Sequence, residues 1–113
     1  MKNAKKELQD ILEKINKTND DIMAYNIIYL RSSLLSDSPD ASVSGKGLIT
    51  EDNWDKLGNI EYTSDYGSQH LYGLVLFTDN SWLERGEYDG SEWWEYKKAP
   101  TVWEVLKYDP RSF

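Results

Sequence analysis

The chain has no cysteine. Disulfide staples and cysteine-based metal sites are therefore excluded, a composition that fits a reducing compartment. It has one histidine, His70, and three prolines. Its longest unbroken apolar run is a handful of residues, too short to span a bilayer. The start, with Lys2, Lys5 and Lys6, leads into an amphipathic segment, not an apolar h-region, so no secretory signal is expected and a cytoplasmic site is. Basic charge is also scarce. Thirteen Lys and Arg stand against twenty Asp and Glu, a formal charge of −7 over 113 residues. Such a field repels phosphate backbones, which argues against direct nucleic-acid binding, and attracts basic protein surfaces.

The charge is lopsided. Residues 1–50 hold seven acids and seven bases, whereas residues 51–113 hold thirteen acids and six bases. All five tryptophans (Trp54, Trp82, Trp93, Trp94, Trp103) lie in that second, acidic half. The length suits one domain with a modest core.

The stretch Leu71 to Lys98 organises the rest. It holds three β-type runs separated by Asp79-Asn80 and Asp89-Gly90. Asp-Gly between alternating residues is a strong hairpin signal, because a type I′ turn needs positive φ at both centres. With two-residue loops, Tyr88 faces Ser91, Glu87 faces Glu92, Gly86 faces Trp93, Arg85 faces Trp94, Glu84 faces Glu95 and Leu83 faces Tyr96. Across the first turn, Phe77 faces Trp82, Leu76 faces Leu83 and Val75 faces Glu84. A three-residue loop at Gly90 instead puts Glu87 opposite Ser91.

Alternation then predicts two unlike faces. One, with Tyr72, Leu74, Leu76, Leu83, Arg85, Trp94 and Tyr96, reads as the core side. The other, with Val75, Phe77, Trp82, Glu84, Tyr88, Trp93 and Glu95, mixes rings and carboxylates. Trp93 can cover the bare backbone of Gly86, and Arg85 can meet the Trp94 ring for about 0.5–2 kcal/mol. Glu84/Glu95 and Glu87/Glu92 are like-charge pairs, each costing up to roughly 1 kcal/mol if directly opposed. Either the long side chains splay into solvent or they await a cationic surface.

Elsewhere, residues 2–17 read as an amphipathic helix with a stripe of Ala4, Leu8, Ile11, Leu12 and Ile15, supported by a Glu13–Lys17 pair. Ile22 to Arg31 reads as a strand, with helix as the alternative. Ser32 to Gly47, with six serines, reads as a polar connection that could contact a partner. Its Gly45-Lys46-Gly47 lacks phosphate-loop spacing. Thr50 caps a short helix to about Leu57, stopped by Gly58. Ile60 to Ser64 is a short strand and Asp65 to Gln69 a turn. Thr101-Val102-Trp103-Glu104 matches a capping box for a last short helix. The expected fold is α+β, an N-terminal helix packed on a mostly antiparallel four- to five-stranded sheet with short extra helices.

No catalytic signature is present. A lone His70 makes no triad, and the carboxylates Glu84, Glu87 and Glu92 lack a recognised metal-loop spacing. A glutamate pair for glycoside hydrolysis needs a cleft that a domain this small rarely encloses. No metal or cofactor is expected. A neutral sugar stacked on exposed rings is the small-ligand alternative.

The run Ser81-Trp82 through Arg85-Gly86-Glu87-Tyr88-Asp89-Gly90-Ser91-Glu92-Trp93-Trp94-Glu95-Tyr96, followed by Pro100, resembles a pattern found in small proteins of phages and other mobile elements. It covers roughly the last third of the chain and carries no function with it. In general character the chain is similar to anti-CRISPR and other anti-defence inhibitors. That likeness implies a non-enzymatic inhibitor that binds a basic host protein, such as a CRISPR effector nuclease, in the host-cell cytoplasm, with no direct nucleic-acid contact of its own but imitating nucleic acid. The residues themselves nominate Trp82, Glu84, Tyr88, Trp93 and Glu95 as contacts, with Glu87 and Glu92 at the rim. The alternative of the same physics is an immunity or antitoxin protein that neutralises a basic nuclease toxin.

Overall fold

The computed structural model describes residues 1–31, 39–63 and 69–106. In chain order the elements are β1 (Lys2–Asn3), α1 (Ala4–Lys14), a 3-10 turn (Asn19–Asp21), β2 (Ile22–Tyr29), β3 (Ala41–Lys46), α2 (Glu51–Gly58), β4 (Glu61–Tyr62), β5 (Leu71–Phe77), β6 (Trp82–Tyr88), β7 (Ser91–Lys97) and α3 (Val102–Leu106). The fold is α+β. A five-stranded antiparallel sheet has the order β3-β2-β5-β6-β7, and β1 and β4 form a separate two-stranded pair. No described helix is long and apolar enough to cross a membrane.

Helix α1 begins where Asn3 accepts from the Lys6 backbone N–H at 3.1 Å, a side-chain N-cap. It ends at Asn16, whose φ of 61° turns the chain out of the helix. That turn separates Glu13 from Lys17, and Lys17 pairs instead with Asp79 at 2.7 Å, so the expected Glu13–Lys17 pair is replaced. The i, i+4 pair that does form is Lys6–Asp10. Ala4, Leu8 and Leu12 are buried, and Ile11 and Ile15 pack beside them, as the stripe requires. Helix α2 starts at the Thr50 N-cap, which accepts from Asn53 N at 3.2 Å. Asn19 ties the two halves together: its amide both accepts from and donates to the Ile49 backbone at 2.9 Å.

The helices cover one side of the sheet. There Tyr25, Ile27, Val43, Leu71, Val75, Phe77, Leu83 and Trp94 join Leu8, Leu12 and Leu57 in a single core. Fully burying each large apolar side chain contributes about 1.5–3 kcal/mol. Gly73 is a packing requirement of this core. A Cβ there would stand 2.8 Å from Asn26 O and 3.2 Å from Trp94 Cη2, so only glycine lets the indole pass beneath β5.

Two expectations are corrected. Part of the serine-rich stretch is strand β3, paired with β2 from Tyr29↔Ala41 to Ala24↔Lys46. An edge strand needs only backbone partners on one side, and here a single buried side chain, Val43, anchors it. Residues 32–38 of that stretch, 64–68 of the expected turn and 107–113 lie outside the described residues. The second correction concerns β5. Its pairing with β6 is Leu76↔Trp82, Val75↔Leu83 and Leu74↔Glu84, one residue away from the counted register. The loop has three residues, Thr78-Asp79-Asn80, closed by Phe77 N donating to Ser81 O at 2.9 Å. Asn80 takes a φ of 68°, the left-handed position that ends such a loop. A one-residue slip exchanges the faces of a strand. Val75 and Phe77 are therefore core, while Tyr72, Leu74 and Leu76 face outward.

The β6–β7 hairpin follows the counted register at every pair from Leu83↔Tyr96 to Tyr88↔Ser91. Asp89 and Gly90 have φ of 52° and 87°, the two positive values that a type I′ turn demands.

Candidate functional site

Because α1 and α2 pack on one side, the opposite side of the sheet has no covering layer among the described residues. Strand parity places Trp82, Glu84, Gly86 and Tyr88 of β6 there, with Ser91, Trp93, Glu95 and Lys97 of β7. Leu76 lies beside Trp82 and Leu74 beside Glu84. None of these side chains is buried. Leu74 is 55% exposed, Trp93 37% and Tyr88 76%.

The nominated contacts divide. Trp82, Glu84, Tyr88, Trp93 and Glu95 share this open face. Glu87 is exposed, but its register puts it on the helix side, at the turn end of the sheet. Glu92 is 1% exposed and belongs to the interior, which removes it from any partner's reach. Alternation alone places Glu92 beside Trp94 and Tyr96, so that signal was present in the sequence.

On the open face the charges and rings are interlocked. Trp82 Nε1 donates to Glu84 Oε1 and Trp93 Nε1 donates to Glu95 Oε1, each at 3.1 Å. The Lys97 ammonium stands 3.0 Å from Glu84 Oε1 and 3.7 Å from Glu95 Oε2. The like-charge pair Glu84/Glu95 therefore gathers one cation between its members. The Trp82 hydrogen bond and then Lys97 hold the Glu84 carboxyl below its ordinary pKa. The Glu84 carboxylate in turn holds Lys97 above its own. Trp93 lies over Gly86, as expected of a ring opposite a bare backbone.

The second like-charge pair resolves differently. Glu92 turns inward and accepts from three donors: Arg85 Nη2 at 2.7 Å, Leu71 N at 2.9 Å and His70 N at 2.8 Å. Arg85 also pairs with Glu7 of α1 at 3.0 Å and donates to Tyr62 OH at 2.9 Å. Tyr62 donates to Glu7 Oε2 at 2.5 Å. The guanidinium stacks 5.1 Å from the Trp94 ring, the expected cation–π contact. Burial opposes the charge on Arg85, but Glu7, Tyr62 and Glu92 outweigh it and raise its pKa. Burial, then the bond to Glu7, pushes the Tyr62 phenol well above its usual range.

This network fastens α1, β4 and the start of β5 to the hairpin. Sequence reading found the Arg85–Trp94 pair but not the carboxylates around it. His70 serves the same assembly. Its Nδ1 is 3.0 Å from Leu30 O, a bond that requires the proton on Nδ1, and its ring lies beside Tyr29 and Tyr62.

Among the described residues no group of three or more His, Asp or Glu is arranged to hold a metal. A hollow of about 480 Å³ between α1 and Trp54 lies on the helical side, away from the open face. No protein family, curated protein or solved structure matches this chain. The functional reading therefore rests on the open face itself.

Proposed function

We propose that this chain is a non-enzymatic binding protein, an inhibitor of the phage type, that lays its open sheet face on a basic host protein. The observation that carries the reading is the shared placement of Trp82, Trp93, Glu84 and Glu95 on the face of the five-stranded sheet that, among the described residues, neither α1 nor α2 covers. Half-exposed indoles supply large contact area with few rotatable bonds, the property that makes Trp and Tyr frequent interface anchors. Carboxylates beside them favour a cationic partner and steer its approach. Lys97, seated between Glu84 and Glu95, shows that this spacing accepts an ammonium.

A basic surface bordered by apolar groups is what nucleic-acid-processing enzymes present where they hold a phosphate backbone. A CRISPR effector nuclease is one such partner, and a cognate nuclease toxin is another of the same physics. The test is affinity capture from host-cell lysate at low salt, with elution by rising salt. Retention of a basic nucleic-acid-handling protein by the wild-type chain, lost with Trp93→Ala, supports the reading. Equal profiles from both chains count against it.

A further inference from the structure

The open face makes no use of Trp54. From α2 its indole packs in part against the core and leaves the rest of its surface in water. Two adjoining hollows meet at this ring. One, of about 480 Å³, runs along the end of α1, with Gln9, Leu12, Glu13, Asn16, Asn19 and Trp54 in its walls. The other, of about 470 Å³, shares Gln9, Asn19 and Trp54 and reaches toward Lys5, Glu51 and Asp55. Ligand sites are typically hollows of about 300–1,000 Å³ with apolar walls and a few placed polar groups.

The frame of the first hollow is fixed by bonds within the fold. Asn19 is held by its two bonds to the Ile49 backbone, each 2.9 Å. Asn16 sits at the left-handed φ of 61° that closes α1, where Lys17 N donates back to Leu12 O at 2.9 Å. Lys17 itself is drawn away to Asp79 at 2.7 Å, over the Phe77 ring. By contrast, among the described residues the side chains of Gln9, Glu13, Asn16 and Trp54 have no hydrogen-bond partner. Two amides, a carboxylate and an indole are thus left uncommitted around one space.

Those groups select a chemical class. An amide presents a donor and an acceptor side by side, and a carboxylate presents two acceptors. Neighbouring hydroxyls, each of which both donates and accepts, are their complement. The face of an indole is electron-rich, and the C–H bonds of a pyranose, polarised by the ring and hydroxyl oxygens, settle against such a face. An anion would meet Glu13 without a free cation in the same hollow, since Lys17 is committed to Asp79. We propose that the hollow at Trp54 binds a neutral sugar, with a pyranose ring stacked on the indole and its hydroxyls on Gln9, Glu13 and Asn16. The site lies on the helical side, so it is independent of the open face and of the function proposed for it.

The test is an NMR titration of the nitrogen-15-labelled chain with the methyl glycosides of glucose, galactose, mannose and N-acetylglucosamine, beside inorganic phosphate and choline. The expected result is a saturable shift of the Trp54 indole N–H and of the end of α1 with at least one glycoside, at a Kd on the order of 1–10 mM. Gln9→Ala combined with Asn16→Gly removes both amides. Both positions are exposed, and glycine keeps the left-handed turn, so the fold is retained. Binding by this variant is expected to weaken at least about tenfold, through loss of the hydroxyl contacts. Trp54→Ala is expected to abolish it. Because that change also trims a core contact, the amide variant decides the matter if the melting temperature of Trp54→Ala falls. The absence of a saturable shift with every glycoside overturns the proposal. So do a shift centred on the Trp82 and Trp93 indoles, full affinity in the amide variant, and saturation of the Trp54 signal by phosphate or choline without any by the sugars.

Discussion

The indole of Trp93 covers Gly86 across the hairpin, its Nε1 2.8 Å from where a Cβ on residue 86 would stand, with Glu95 Oε1 equally close. Glu95 Oε1 ends a flexible side chain and the rigid Trp93 indole lies on the open face, so Gly86→Ala is absorbed by moving the carboxylate and turning the ring outward. Alanine also removes the cost of glycine in a strand, roughly 0.5–1 kcal/mol. The expected outcome is a melting temperature unchanged or slightly raised, with the Trp93 indole N–H resonance displaced and partner capture weakened. A large loss of stability contradicts this placement.

Arg85 and Glu92 give the opposite result. Each side chain is 1% exposed, and each is the other's charge partner. Removing one partner of a buried pair leaves the other uncompensated, at a cost of about 3–5 kcal/mol. Urea unfolding of Arg85→Met, which removes the cation shared by Glu7 and Glu92, is expected to show a loss of that size, and Glu92→Leu, which leaves Arg85 its Glu7 partner, a smaller one. A fall below 1 kcal/mol in both denies the network its role in holding α1 and β5 to the hairpin.

Asp79 carries the pH dependence. Lys17 at 2.7 Å, then the Ser81 hydroxyl and the Ser81 backbone N–H, hold its carboxyl well below the ordinary 3.8. A depressed pKa contributes stability that is present above the unfolded value and lost as pH falls through the folded one. Asp79→Asn is therefore less stable than wild type near pH 7, and the gap narrows as pH falls from about 4 toward 2. Thermal melts at several pH values read this directly. A gap that stays constant across that interval contradicts it.

The tryptophans should separate by face. In single-Trp variants, acrylamide reaches Trp93, which is 37% exposed, far more readily than Trp94, which is 6% exposed. Trp82 is half-exposed and falls between them. Equal quenching of Trp93 and Trp94 contradicts the assignment of faces.

How much of this was legible depended on the turn chemistry. Of the two loops open to Asp89-Gly90 the two-residue one forms, so counting outward from it gave the β6–β7 pairing and the faces of Trp82, Glu84, Tyr88, Trp93 and Glu95, while the rim places given to Glu87 and Glu92 did not follow. Asp79-Asn80 looks similar but behaves otherwise. The Asp79 carboxylate takes the Ser81 N–H and hydroxyl, Asn80 takes the left-handed position, and the loop gains a residue that moves all of β5. Strand β3 was hidden because serine and glycine declare no strand, and only the backbone of β2 recruits them. The α1 stripe was plain from spacing, but which sheet face it chose depends on long-range packing that spacing does not encode. The role of Glu7 was missed for the same reason, since its partner Arg85 is recruited from a distant strand, whereas the inward placement of Glu92 was readable from its alternation with Trp94 and Tyr96.

The central claim is that the open face of Trp82, Glu84, Trp93 and Glu95 is the recognition surface. Its most direct test is low-salt capture from host-cell lysate on the wild-type chain beside a Glu84→Gln, Trp93→Ala, Glu95→Gln variant of equal thermal stability. The expected result is a basic, nucleic-acid-handling protein held by the wild type, released as salt rises to about 0.3 M through screening, and absent from the variant. Retention of the same proteins by both chains, or of none by either, contradicts the claim.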